Sequence, residues 1–268
     1  MGEGLPLAGK RIVITRARDG ASVLADALAA EGAEVVSIPT IEIRDPESWE
    51  PLDEAIRHLE EYDFLLVTSA NGVRKFLERL NACGRGVDDL RGLEIGAIGP
   101  ATAGEFADAG VKVDFIPKEY RAEGLLEALG NLDLRGKAFL IPRAKVARDL
   151  VPRVLAERGA RVNVIEAYET VLPSIPAAEL DRLLSPLPDV VTFTSSSTVT
   201  NFVALLGERR AKQLLSAAAV ASIGPVTSST LRALGIPVAV EAKVSTIQGL
   251  VEAVKEYVVR QARLSRAT

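Results

Sequence analysis

Six short turns hold most of the residues in this chain that could do chemistry. They read Thr15-Arg16, Thr68-Ser69-Ala70-Asn71, Gly99-Pro100-Ala101-Thr102, Pro142-Arg143, Thr194-Ser195-Ser196-Ser197 and Gly224-Pro225-Val226-Thr227. Each follows an apolar run, and most lead into a helix-length amphipathic stretch. Together they offer hydroxyls, backbone N–H groups and two arginines, with no acidic side chain at any tip. That set of donors suits an anion, and a ligand with several carboxylates would engage several turns at once. For one turn taken alone, Ser and Thr are ordinary helix caps. Recurrence over six turns is what makes Thr15, Arg16, Ser69, Asn71, Gly99, Thr102, Arg143, Ser195, Ser196, Ser197, Gly224 and Thr227 candidate ligand-binding residues.

Strong acids and bases are scarce. His58 is the only histidine, in the helical stretch PLDEAIRHLEEYD, and Cys83 the only cysteine, in NACGRG at the end of a helix. A zinc site, a hydrolase triad and a disulfide framework are therefore excluded. No GxxxxGK[ST] occurs, and GAIGPATAG is too irregular for a dinucleotide fingerprint. The remaining proton donors are Tyr, Lys and the carboxylic acids. Tyr168 stands out among four tyrosines because IEAYET follows a strand and is longer than a connection needs. It is either a donor aimed at a ligand or a strand aromatic packing on its neighbours.

The elements that must position these turns come in two copies. YDFLLVTSANGVRKFL at 62–77 and PDVVTFTSSSTVTNFV at 188–203 align at Asp63/Asp189, Thr68/Thr194, Ser69/Ser195, Val73/Val199 and Phe76/Phe202. GKRIVITRA matches GKAFLIPRA, ALAAEGAEVVSI matches VLAERGARVNVI, and the stretches at 97–129 and 222–254 share Gly99/Gly224, Pro100/Pro225 and Thr102/Thr227. An internal duplication is the simplest account. Within each copy, β-branched runs such as RIVIT, EVVSI, FLLVT, EIGAI and VKVDFI alternate with amphipathic stretches closed by glycine, which predicts parallel sheets with helices on both faces. IPTIEI (38–43) and IEAYET (165–170) fall at equivalent positions and could pair as a two-stranded ribbon. The chain then divides into 1–37 plus 171–268 as one α/β domain and 44–164 as the other, with 38–43 and 165–170 as linker strands, and two facing crevices could share one large ligand.

Composition fits a globular chain: 268 residues, 48% hydrophobic, 25% charged. With a net charge of −4 and a pI near 5.3, no nucleic-acid partner is expected. No run is long and apolar enough for a membrane span, MGEGLPLAGK is not a signal peptide, and a cytoplasmic location is expected. The basic stretch RQARLSRAT reads as a frayed helix end.

At these residues, from GKRIVITRA through FLLVTSANGV, IGPATA, the Tyr168 segment, VTFTSSSTV and SIGPVTSSTL to GLVEAV, the sequence resembles the uroporphyrinogen-III synthases. The resemblance implies two flavodoxin-like domains joined by a two-stranded ladder. It also implies cyclisation of hydroxymethylbilane, a linear tetrapyrrole with eight carboxylates, with loss of water and inversion of ring D through a spiro intermediate. Such an enzyme would work by positioning and hydrogen bonding in an interdomain cleft, as a lyase with no metal and no cofactor. Tyr168 matches the tyrosine proposed in the family to assist departure of the hydroxyl, Thr102 and Thr227 match its threonines, and Ser69, Ser195, Ser196 and Ser197 match substrate-facing turns. The resemblance further implies a monomer, fused to or handing its product to a uroporphyrinogen methyltransferase. Two other readings are a cofactor-free clamp that binds a small polycarboxylate and a flavodoxin-like redox module carrying flavin.

Overall fold

The computed structural model describes residues 5–15, 18–130 and 132–267, with backbone only at 18–22 and 265–267. It divides into two compact units, 1–42 with 171–268, and 43–170.

In chain order, the first unit begins with β1 (Arg11–Ile14), α1 (Arg18–Ala30) and β2 (Glu34–Ser37). Then come β3 (Glu42–Arg44), α2 (Glu50–Arg57), β4 (Phe64–Val67), α3 (Ala70–Ala82), β5 (Glu94–Ala97), α4 (Pro100–Asp108), α5 (Ala122–Ala128), β6 (Ala138–Ala144), α6 (Leu150–Glu157) and β7 (Arg161–Val171). The chain closes with α7 (Ala177–Leu183), β8 (Val190–Phe193), α8 (Ser196–Leu206), α9 (Glu208–Ala217), β9 (Ala219–Ser222), α10 (Pro225–Ala233), β10 (Val240–Glu241) and α11 (Ile247–Ala267). No described helix is long and apolar enough to cross a membrane.

The α/β class with parallel sheets is observed. One sheet has the order β10-β9-β8-β1-β2, the other β3-β7-β6-β4-β5. Every pairing from β7 through β6 and β4 to β5, and from β2 through β1, β8 and β9 to β10, is parallel. Burial on both faces explains the unbroken apolar strands: all four residues of FLLV and of VVTF are buried. Alternate residues serve opposite layers. Leu65, Val67 and Leu140 pack under α2, α3 and α4, while Phe64, Leu66 and Phe139 pack under α5 and α6, with Phe64 and Phe139 stacked at 4.4 Å between ring centres. In the other unit Val13, Val191 and Phe193 face α7 to α10, and Ile12, Ile14 and Val190 face α1 and α11.

In both sheets the strand order reverses next to the central strand, between β1 and β8 and between β6 and β4. Beyond the carboxyl ends of the strands at such a point is the usual ligand position in open α/β sheets. One local reading needs correction. VKVDFI is not a strand: Phe115 makes only an isolated bridge to Gly96, Asp114 bonds Ile95 through its N–H and its carboxylate, and the Phe115 ring occupies the space where a Cβ on Gly96 would sit. RQARLSRAT forms the end of α11, helical as far as Ala267.

Candidate functional site

In the 43–170 unit, β4 delivers the chain to Ser69, whose extended backbone (φ −157°) makes it the N-cap of α3. Its Oγ accepts a hydrogen bond from the Gly72 N–H at 3.0 Å, one of the donors that a helix start leaves unpaired. The same oxygen lies 2.9 Å from the Tyr168 hydroxyl.

Tyr168 reaches Ser69 because β7 is irregular. Pro142 pairs with Ile165 and Arg143 with Glu166, but Ala144 pairs with Tyr168, so Ala167 is an extra residue. Strand residues normally alternate between faces. The bulge breaks the alternation, and Ile165, Ala167 and Tyr168 all join one apolar cluster. The Tyr168 ring is packed at 6% exposure and its hydroxyl is held at the start of α3. Tyr168 is thus a packed strand aromatic whose hydroxyl lies against the Ser69 cap.

The neighbouring turns are arranged differently. Asn71 is half-buried in the first turn of α3. Gly99 caps α4 with extended backbone, and the exposed Tyr120 lies so close that a Cβ on Gly99 would stand 3.3 Å from it. Thr102, in the first turn of α4, is only 4% exposed. Arg143 is tied inward, donating from Nη2 to Asp149 Oδ1 at 2.5 Å and from Nη1 to the Arg148 carbonyl at 3.0 Å.

In the other unit, Ser195 caps α8 and accepts from the Thr198 N–H at 3.3 Å, while the Thr198 hydroxyl accepts from the Ser195 N–H at 3.2 Å. Ser195 Oγ lies 3.0 Å from Ser197 Oγ. Ser196 is committed between helices, accepting from Thr230 Oγ1 at 2.8 Å. Gly224 caps α10, and Thr227 is 3% exposed. Thr15 departs from expectation: it is fully buried and donates to the Thr192 carbonyl at 2.8 Å, while its own carbonyl accepts from Thr40 Oγ1. A hydroxyl at a strand end can serve either the crevice or the neighbouring strand, and here it serves the strand. Arg16 lies outside the described residues.

Residues 22–252 match the family described as uroporphyrinogen-III synthase HemD. The chain is 38% identical to the uroporphyrinogen-III synthase of Synechococcus elongatus, over 94% of its own length and 97% of that protein's. The chain belongs to the uroporphyrinogen-III synthase family. A putative uroporphyrinogen-III synthase of Methanothermobacter thermautotrophicus is 35% identical over 84% of this chain and 90% of its own. A crystal structure of a mutant uroporphyrinogen III synthase from Thermus thermophilus aligns with a TM-score of 0.62 at 20% identity, covering 94% of this chain and all of that one, which shows a shared fold.

For a member of this synthase family, the charges beside Tyr168 are of interest, and sequence reasoning missed them. Lys145 donates to Glu47 at 2.9 Å and to Glu169, and these two carboxylates raise its pKa above the usual lysine value. Glu166 Oε1 is buried without a hydrogen-bond partner, and burial pushes its carboxyl above the usual range against the pull of Lys145. The available signal was the basic run RAKVAR, which straddles the end of β6. Among the described residues no cluster of His, Cys, Asp or Glu could hold a metal ion.

Proposed function

We propose that this chain catalyses the reaction for which its family is named. It closes hydroxymethylbilane to uroporphyrinogen III with loss of water and inversion of ring D. The observation that carries this reading is the family match over residues 22–252.

The chemistry needs a departing hydroxyl and a controlled carbocation. The ring A nitrogen pushes its hydroxymethyl oxygen out as water, leaving an azafulvenium cation. Ring D attacks through its substituted carbon, the spiro intermediate fragments, and ring D rejoins the other way round. The proton lost from ring D in the last step balances the one taken up with the leaving water. Tyr168 serves as a hydrogen-bond donor to the departing oxygen. Ser69 orients it. The Ser69 oxygen accepts from the Gly72 N–H and lies 2.9 Å from the phenol oxygen, and where the Ser69 hydroxyl donates in that contact the Tyr168 proton is free for substrate. The N-termini of α3, α4, α8 and α10 supply unpaired N–H groups for carboxylates. Asn71, Thr102, Thr227 and the serine turns act with them, and no cofactor is required.

We also propose that the two units arose by duplication with exchange, 38–43 and 165–170 serving as linker strands. The matching strand orders β2-β1-β8-β9-β10 and β7-β6-β4-β5 support this. The enzyme works as a cytoplasmic monomer that hands its product to a methyltransferase. The test of function is incubation of the purified protein, without added metal or nucleotide, with enzymatically generated hydroxymethylbilane, followed by oxidation and separation of the isomers. Isomer III should replace isomer I, and an unchanged ratio with enzyme in excess would sink the assignment.

A further inference from the structure

A cavity of about 170 Å³ opens at the carboxyl ends of β4, β5 and β6, bounded by Thr68, Ile98, Ile141, Val151, Arg143 and Arg148. Its walls are of two kinds. Ile98, Ile141 and Val151 form an apolar side, large enough for a five-membered ring and too small for a macrocycle. Thr68, Arg143 and Arg148 form a polar side.

The two arginines differ in what they can still do. Arg143 is spent: its guanidinium holds Asp149 and the Arg148 carbonyl, and its side chain is only 15% exposed. That bond fixes the backbone of Arg148. Arg148 itself is exposed and pairs with no carboxylate among the described residues. A fixed backbone bearing an uncommitted guanidinium beside an apolar wall recognises a flat, apolar ring that carries an acid, since guanidinium and carboxylate match in a bidentate way.

We propose that this cavity is a subsite for one carboxylate-bearing pyrrole ring of the substrate, with Arg148 as its anion anchor and Arg143 as the strut that positions Arg148. The proposal rests on the synthase reading. The subsite holds one ring while the remainder of the chain rearranges, so Arg148 acts on binding and not on the departing hydroxyl.

The probe is a monopyrrole bearing one acetate and one propionate arm, titrated into the full-length protein while the Ile98 and Ile141 methyl resonances are followed. Both should shift with saturation in the millimolar range, and Arg148→Gln should weaken that binding about tenfold, the usual worth of one charge-assisted hydrogen bond. In turnover, Arg148→Gln should raise KM for hydroxymethylbilane about tenfold and leave kcat within about twofold. Val151→Phe, which fills the cavity, should abolish the monopyrrole shifts, and its thermal unfolding reports whether it folds. If inorganic phosphate shifts the same methyls as strongly, the site is a plain anion site and the pyrrole assignment is overturned. If wild-type protein forms isomer III while Arg148→Gln keeps the wild-type KM, the subsite fails and the synthase reading stands. If wild-type protein forms no isomer III, the synthase reading fails, and with it the subsite as stated.

Discussion

Ser69 and Ser195 open α3 and α8 with nearly the same geometry, at φ/ψ of −157°/151° and −166°/163°, and each accepts a hydrogen bond from the backbone N–H three residues on. Only Ser69 also touches a phenol. At the position of the first copy that matches Tyr168, the chain has Ile41, which carries no hydroxyl, and Ser195 turns to Ser197 instead. A second pair of matched residues behaves in the opposite way. Asp63 accepts from the Ala138 N–H at 2.8 Å and from Lys137 at 2.7 Å; Asp189 accepts from the Arg11 N–H at 2.9 Å and from Lys10 at 2.8 Å. These carboxylates sit at the amino ends of the strands, away from the turns, and do the same work twice. What both units keep is scaffold, and what one unit has alone is the candidate chemistry.

The comparison breaks most completely if the units are not those described. A fragment 1–134 holds β1 and β2 of one sheet with β4 and β5 of the other, so neither core is complete. It should show no cooperative unfolding, while 43–170 should unfold cooperatively alone, with calorimetry of both as the check. A cooperatively folded 1–134 would restore a tandem division.

Next in size is Tyr168→Phe. Removing one positioned donor costs on the order of 10²-fold or less, so turnover should fall by one to two orders of magnitude at saturating substrate, with binding kept by the helix N-termini. Ile41→Tyr, its counterpart, should leave turnover unchanged. A wild-type rate for Tyr168→Phe would make the tyrosine a packing residue only.

Smaller is the contrast between the two caps. Ser69→Ala and Ser195→Ala should each destabilise by about 1 kcal/mol, the usual worth of an N-cap. Only Ser69→Ala should also lower kcat, by roughly tenfold. In a Tyr168→Phe background that kinetic loss should largely vanish, because the serine acts through the phenol. Equal kinetic losses from the two alanines would mean that the turns bind substrate alike and that Ser69 has no separate role.

Much of the scaffold could be read before the structure, because periodicity, glycine stops and repeated segments are local signals. The parallel sheets follow from fully apolar strands such as FLLV, and AAEG and AERG mark helix ends where Gly32 and Gly159 take positive φ (93° and 85°). The candidate site was legible as a set of residues and not as a set of contacts. Ser69 and Tyr168 were each singled out on separate grounds, but nothing in IEAYET announces the extra residue at Ala167 that turns the ring toward α3. Thr15 and Arg143 look as available in sequence as Ser69 does. Their hydroxyl and guanidinium were claimed by the Thr192 carbonyl and by Asp149, partners that only the fold brings near.

The smallest expected effect concerns the shared carboxylates, and it tests whether matched residues are scaffold. The hydrogen bonds from Lys137 and the Ala138 N–H hold the Asp63 carboxyl below its usual range. Burial pushes Asp189 up, but its bonds from Lys10 and the Arg11 N–H outweigh that and leave it lowered as well. A carboxyl lowered in the folded state adds stability that is present above its unfolded pKa, near 3.9, and is lost as pH falls through the folded value. Both side chains are about one-third exposed, 36% and 37%, so solvent screens the ion pairs and much of the effect lies in the backbone bond. Asp63→Asn and Asp189→Asn should therefore each cost about 1 kcal/mol or less at pH 7, with wild type and variants converging as the pH is lowered below about 4. Neither should change kcat or KM at a temperature where both proteins are folded. A kinetic defect confined to one of them would place that carboxylate in the chemistry and undo the division between repeated scaffold and unrepeated site.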